Sequence, residues 1–405
     1  MKVLIWATTL QADILALALH LDGRADCEPL VVAEGLDAFQ REPIARARPL
    51  RAPCLERDAT GTRDAVRAFA ADVVVADNHL PEFRAAPNVC TLWHGLGWKA
   101  RGRADIAAFH KRVRELTGQD GSTANPRLLA QCYGAPDRDW RVDSWGLHPD
   151  NCEVLGMAFT DLLLDPPFAR EDLAAHYRID VVAKPTVLLN FTWHYGRIFP
   201  GAWTPPGLLS RSSAFEQDLA LLEQVIDTVL ERGANVLFCL HDRKRYEPAY
   251  LAALHAIAER RTDVQLKHKC EHPDNLADLM VADVMVSNLS SFITYFYASG
   301  RPSVHLCPAQ DGASEIKLAR LKRGKLRARS VDAGGDLWMN APTDNGGLTA
   351  RSAEQALEAI ATALDQPDCC VERSRRWLDA HVHGIDGGTA ARIHGALRAR
   401  FGGTA

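Results

Sequence analysis

The chain has 405 residues, 47% of them hydrophobic and 24% charged, with a formal net charge of −4 at pH 7. That length exceeds one ordinary hydrophobic core, so two domains are expected, and the slightly acidic balance gives no electrostatic reason to bind nucleic acid. The 10 cysteines form no Cys-x-x-Cys pair and read as small buried side chains in a reducing compartment, not as a disulfide framework or zinc clamp. The opening Met1-Lys2-Val3-Leu4-Ile5-Trp6 is too short an apolar run for a signal peptide, and no stretch of about 18 apolar residues occurs, so a cytoplasmic protein is expected.

In chain order, short apolar runs alternate with amphipathic ones. Strands are expected at 3–7, 29–33, 72–76 and 89–93, with helices at 11–21 and 62–70. Apolar strands without polar alternation, each followed by a helix, predict a parallel sheet covered on both faces. After Leu164-Asp165-Pro166-Pro167, where two prolines stop any continuous element, the alternation starts again. Strands are expected at 186–191, 235–240, 264–266, 284–287 and 303–307. Helices are expected at 215–232, 250–260 and 276–282, and from 290 onward. The pattern predicts two α/β domains in tandem, split near residues 160–180.

Open α/β sheets bind ligands at the carboxyl ends of their strands. Three segments fall there. Thr91-Leu92-Trp93-His94-Gly95-Leu96 sets an imidazole after an apolar run and before a glycine, ahead of Lys99. Such a histidine suits a general base, although a Trp-His pair also occurs as plain packing. His241 ends the strand at 235–240, ahead of a basic run. Asn288-Leu289-Ser290-Ser291 follows the strand at 284–287, and its serines read either as an anion site at a helix start or as an ordinary cap. Two basic clusters remain. Residues 320–329, with Lys322, Arg323, Lys325 and Arg327, read as a solvated face or loop, or as a clamp over an anionic ligand. Residues 99–114 read as a solvated face, or as a surface toward an anionic acceptor or a membrane. Asp386-Gly387-Gly388 reads as a tight turn with Thr389 capping the last helix. No phosphate-binding glycine loop or His-Glu-x-x-His motif occurs, and no carboxylate cluster resembles a metal site.

Taken in order, these pieces resemble the CDP-glycerol glycerophosphotransferase family, the teichoic-acid primase and polymerase group. Its Trp-His-Gly motif is matched by Trp93-His94-Gly95, with Lys99 near its basic residues. A later glycine segment is matched by residues 155–163, without the family's Pro-Arg pair. Asn190-Phe191-Thr192-Trp193-His194 matches in part a strand end, and Cys239-Leu240-His241-Asp242 corresponds to a Lys-x-His-Pro motif. Asn288-Leu289-Ser290-Ser291 and Arg323-Gly324 fall where the family has Asp-Tyr-Ser-Ser and Arg-Gly. Asp386-Gly387-Gly388-Thr389-Ala390-Ala391-Arg392 resembles the closing Asp-Gly motif, offset by one residue. The resemblance covers roughly residues 90–400, and the segment 97–140 departs from it.

The resemblance implies a GT-B fold: two Rossmann-like domains, at 1–163 on the acceptor side and 164–380 on the nucleotide-donor side, with a cleft between them. Residues 381–405 would form a helix returning to the first domain. It implies transfer of a polyol-phosphate group from a CDP-linked donor to an acceptor hydroxyl, glycan or lipid-linked, with CMP leaving, in cell-surface glycopolymer synthesis at the inner face of the membrane. His94 and His241 would be catalytic. Ser290, Ser291, Asn288, Thr192, Arg323, Asp386 and Gly387 would bind donor and phosphate, with Gly95 and Lys99 on the acceptor side. No obligatory cofactor and no metal ligand are expected, Mg²⁺ entering only with the donor diphosphate. A GT-B glycosyltransferase using a nucleotide sugar is the alternative reading, and a non-catalytic nucleotide-binding protein a third.

Overall fold

The computed structural model describes residues 1–77, 79–93, 95–96, 103–191, 219–240, 248–288, 290–306, 316–322, 325–331 and 344–402. The first sheet contains β1 (Lys2–Trp6), β2 (Glu28–Ala33), β3 (Cys54–Glu56), β4 (Val73–Ala76), β5 (Asn88–Thr91), β6 (Leu128–Cys132) and β7 (Cys152–Val154). All its strands are parallel, in the order β3-β2-β1-β4-β5-β6-β7. The second half contributes β8 (Thr186–Asn190), β9 (Asn235–Leu240), β10 (Val264–His268), β11 (Val284–Ser287) and β12 (Ser303–Leu306). An antiparallel hairpin of β13 (Ile316–Lys322) and β14 (Lys325–Val331) follows, and then β15 (Leu348–Ala350). The second sheet is also parallel, in the order β10-β9-β8-β11-β12-β15.

Side chains alternate across a strand, and here both faces are apolar. Val3 and Ile5 of β1 enter one core while Leu4 and Trp6 enter another. In the second sheet Val187 and Leu189 face a core of their own, whereas Leu188 and Leu237 join the core that holds Val3 and Ile5. One apolar cluster therefore runs from the first sheet to the second and joins the two domains. The helix Ala12–Leu21 lies inside it, buried along most of its length. The helix Val371–His381 packs on the turn Tyr297–Ser299 of the second domain and on the helix Ala135–Trp145 of the first. The last helix, Thr389–Phe401, lies on the helix Ala12–Leu21. The seam is close: a Cβ at Gly134 would stand 2.1 Å from the His381 carbonyl oxygen, and the His383 N–H donates to the Tyr133 carbonyl at 2.7 Å.

The two-sheet parallel architecture is the one the sequence pattern predicts, and most strand limits agree to within two residues. Two local expectations need correction. The basic run 320–329 is no loop over its described residues: 320–322 and 325–329 lie in β13 and β14, where Arg320 pairs with Arg327 and Leu321 with Leu326 in register. Its Leu/Ala alternation with Lys/Arg is the period of a strand. The helix expected from Ser290 is one α-helical turn, Ile293–Phe296, running into a 3-10 turn that Gly300 ends in the left-handed region at φ +69°. Among the described residues, no helix is long and apolar enough to cross a membrane.

Candidate active site

In each sheet the strand order reverses at one point, between β1 and β4 in the first and between β8 and β11 in the second. Crevices open at the carboxyl ends of such pairs. In the first sheet, the Thr8 N–H after β1 donates to the Asp77 carboxylate after β4 at 2.8 Å, and the Thr8 hydroxyl lies 3.1 Å from that carboxylate and 2.9 Å from His79 Nδ1. In the second, the Ser287 hydroxyl donates to the Asn190 carbonyl at 2.6 Å, which ties the ends of β11 and β8. Asn288 follows, 3% exposed.

The loops beyond β5 and β11 meet across the domain boundary. Gly95 has φ +112°, a conformation that side-chain-bearing residues rarely adopt, and a Cβ there would stand 2.8 Å from the Ser291 carbonyl oxygen. Its N–H donates to the Tyr133 hydroxyl at 2.9 Å. Tyr133 follows β6, and its hydroxyl lies 3.4 Å from that of Tyr295, which belongs to the turn after Ser291. Trp93 packs edge-on against Trp145 at 5.3 Å, with the Arg141 guanidinium 5.5 Å over its ring. Arg141 is held by Asp137 at 3.1 Å in a pair that is almost wholly buried. Trp93 and Gly95 are thus both anchored.

Beneath this junction lies Asp13, fully buried in the helix Ala12–Leu21. One carboxylate oxygen accepts the Phe159 N–H at 2.7 Å, and the other lies 3.5 Å from the Gln131 side-chain nitrogen. Gln131 also accepts the Trp93 N–H at 3.4 Å. Burial pushes the Asp13 carboxyl up to about 7, against the opposing pull of the Phe159 N–H and the Tyr133, Tyr295 and Gln131 side chains. Burial likewise pushes the Tyr133 and Tyr295 phenols well above their ordinary value, so both remain hydroxyls. Asp13, Gln131, Tyr133 and Tyr295 therefore join the loop after β5 to the turn after β11. None was singled out from the sequence, because nothing local marks a buried Asp or Tyr as part of a network.

Of the residues expected to carry chemistry, the structure brings Gly95 and Ser291 into contact, with Ser290 adjacent. His94, Lys99, Thr192, His241 and Arg323 lie outside the described residues. Ser290 and Ser291 do not cap a long helix. The residue before the turn is Phe292, whose N–H lies 3.4 Å from the Ser290 hydroxyl, while the Ser291 carbonyl accepts the Thr294 hydroxyl at 2.7 Å. A single turn has little macrodipole, so anion binding here would have to come from local N–H and hydroxyl groups. Asp386 and Gly387 form the expected tight turn, with Gly387 at φ +76°. Thr389 is the first helical residue, not the cap, and its N–H goes to Asp161 at 3.2 Å. The Asp386 carboxylate receives Arg392 at 2.8 Å through both oxygens, and Arg392 also donates to the Leu155 and Gly384 carbonyls.

A cavity of about 1160 Å³ opens in the first domain between Trp6, Phe83 and Phe109. Arg57, Arg63, Arg67, His79 and Arg112 line it, and the Arg63 guanidinium lies 5.4 Å over the Phe83 ring. Asp58, Asp64 and Glu82 line it as well, Arg63 pairing with Glu82 and Arg67 with Asp64, so its walls offer charges of both signs and aromatic faces to a hydroxyl-rich ligand.

Protein-family models give no match to this sequence, and none of the curated proteins matches it. Solved structures do. The wall teichoic acid polymerase TagF aligns with 99% of this chain and 89% of its own, at TM-score 0.66 and 10% identity. A variant of TagF has been solved with CDPG. A UDP-N-acetylglucosamine 2-epimerase from Listeria monocytogenes, whose assignment is itself provisional, aligns over 100% of this chain and 97% of its own, at TM-score 0.56 and 13% identity. A glycosyltransferase from Rickettsia africae aligns at TM-score 0.50 and 9% identity over 100% of this chain and 99% of its own. At these identities the likeness establishes the fold: GT-B, with two parallel-sheet α/β domains.

Proposed function

We propose that this chain is a transferase that moves a polyol-phosphate group, glycerol-phosphate-like, from a CDP-activated donor to an acceptor hydroxyl and releases CMP. The observation that carries the reading is the junction of Gly95 with Ser291, where the loop after β5 reaches the loop after β11. Those two loops bear the motifs that resemble the glycerophosphotransferase family, and the whole chain shares the fold of TagF. In this reading His94 accepts the proton of the acceptor hydroxyl as its oxygen bonds to the distal phosphorus. The bond from that phosphorus to the bridging oxygen breaks, and CMP departs. His241, Thr192, Asn288 and the N–H and hydroxyl groups near Ser290 and Ser291 balance charge on the phosphates. Arg323, Asp386 and Gly387 complete the donor set. Phosphoryl transfer asks mainly for positioning and charge stabilisation, which two domains closing on a diphosphate supply. Mg²⁺ would arrive with the diphosphate.

The acceptor belongs to the first domain, with Gly95 and Lys99 on its side. The charged and aromatic cavity there suits a hydroxyl-rich acceptor, glycan or lipid-linked, and a lipid-linked one would bring the protein to the inner membrane face. The product would be a teichoic-acid or capsule-like polymer. A second reading, sugar transfer from a nucleotide sugar, is favoured by the likeness to a glycosyltransferase and a nucleotide-sugar epimerase.

One assay separates them: release of CMP from CDP-glycerol, CDP-ribitol and related donors, with His94→Ala and His241→Ala in parallel. Turnover by the unaltered enzyme, falling about 10²–10⁴-fold in His94→Ala, supports phosphotransfer with His94 as base. Turnover of a nucleotide sugar and of no CDP-polyol would replace this reading with glycosyl transfer. Stabilisation by nucleotide without any turnover would make the chain a binding protein.

A further inference from the structure

We propose that Glu42, His176 and His272 form a binding site for a divalent transition-metal ion of the zinc class, and that the bound ion ties the two domains together. The three residues come from three parts of the fold. Glu42 precedes the helix Pro43–Ala47 of the first domain, His176 ends the 3-10 helix Glu171–His176 in the segment that crosses between the sheets, and His272 follows β10 in the second domain. His272 Nδ1 lies 3.1 Å from Glu42 Oε1, and His176 Nε2 lies 3.7 Å from Glu42 Oε2. One ligand atom from each residue falls within 4.8 Å of the other two. Ligands on one tetrahedral zinc stand about 3.4 Å apart, so small side-chain rotations would close the set. The imidazole planes are nearly perpendicular, at 89°, with ring centroids 5.4 Å apart.

The geometry leaves a buried carboxylate oxygen open to a cation at this point. Glu42 is 0% exposed and its Oε2 has no hydrogen-bond partner. Two further carboxyl side chains, Asp274 and Asp278, are buried beside the same group, Lys267. The ammonium of Lys267 is already committed, at 2.6 Å to Asp278 and 2.6 Å to the Asp274 carbonyl. The unpartnered Oε2 faces His176 Nε2 at 3.7 Å, and a buried polar atom left without a partner is expensive. A divalent ion between the two would satisfy it. Two imidazoles and one carboxylate are the ligand set of many open zinc sites, with a fourth position left for water. The side chain of His272 is 41% exposed, which gives an entry path and room for that water.

The experiment uses the full-length chain without a histidine tag, stripped with chelator and titrated with Co²⁺ as a spectroscopic probe, then with Zn²⁺. One Co²⁺ per chain is expected, with visible d–d bands and no thiolate-to-cobalt band, displaced by Zn²⁺. His272→Ala should lose affinity by more than tenfold, with a circular-dichroism spectrum matching that of the unaltered chain to show that it folds. Glu42→Gln provides a second test at the carboxylate. Zn²⁺ should raise the melting temperature of the unaltered chain and leave His272→Ala unmoved. Absence of any cobalt spectrum, a thiolate-type spectrum, or equal affinity in His272→Ala would each overturn the proposal. All three readouts are independent of donor turnover.

Discussion

Asp13 offers the sharpest test of the network under the domain junction, through the substitution Asp13→Asn. The carboxyl is fully buried and titrates near 7, while the same group in the unfolded chain titrates near its ordinary 3.8. Below about pH 4 both states hold the proton and Asp13 costs nothing. As pH rises from there the unfolded state ionises freely, whereas the folded state must keep its proton or bury a charge. Stability therefore falls with pH and levels off above about 7. The whole displacement corresponds to about 4 kcal/mol, of which about 2–3 kcal/mol falls between pH 5 and pH 8. Asparagine keeps an oxygen for the Phe159 N–H and has no proton to lose. Urea denaturation of both proteins at fixed pH values from 5 to 8 gives the difference directly, since every other titrating group is common to the pair. The variant should gain on the unaltered chain by about 2–3 kcal/mol over that interval. A difference in stability that stays constant from pH 5 to pH 8 would refute the reasoning and show that Asp13 ionises normally in the fold.

Other substitutions probe the same junction. Gly95→Ala forces a side chain onto φ +112° and against the Ser291 backbone at 2.8 Å. It should cost about 2 kcal/mol or more in denaturation and lower CMP release; unchanged values in both would show that the loops do not meet as described. Arg141→Met strands the Asp137 carboxylate, 2% exposed, and removes the cation over Trp93. A loss of about 3–5 kcal/mol is expected by denaturation, and a loss below 1 kcal/mol would mean that water reaches the pair. Asp386→Ala releases Arg392 at a side chain that is 58% exposed. A destabilisation within about 1 kcal/mol is expected, because the pair is exposed, together with a raised KM for the donor. An unaltered KM would take Asp386 out of the donor set and leave its carboxylate a tie within its own turn.

What the sequence made legible was what short windows encode. Val73-Val74-Val75-Ala76 is apolar at every position, and only a strand buried on both faces explains that. Trp93-His94-Gly95 announces a strand end followed by a residue free to take positive φ, and Gly95 does so. Ser290-Ser291 misled because a serine pair before an apolar stretch looks the same ahead of a short element or a long one; Gly300, ten residues on, ends this one after one α-helical turn and one 3-10 turn. The basic run 320–329 misled because its charges concealed the alternation that a hairpin needs, in which Ala319 and Leu321 pair with Ala328 and Leu326.

Contacts across long separations had no such signature, and they are the ones that position the junction. Asp13 meets Phe159 across 146 residues, and Tyr133 meets Tyr295 across 162. Glu42 and His272, 230 residues apart, come together where the helix Leu276–Val281 packs against the helix Pro43–Ala47. The division has a physical origin. A catalytic loop needs a particular residue at a strand end, and strand ends are local features. Holding two such loops face to face needs buried polar groups whose partners lie in the other domain. Those groups are costly to bury alone, so each of them, Asp13 and Glu42 above all, is explained only by the neighbours that folding brings to it.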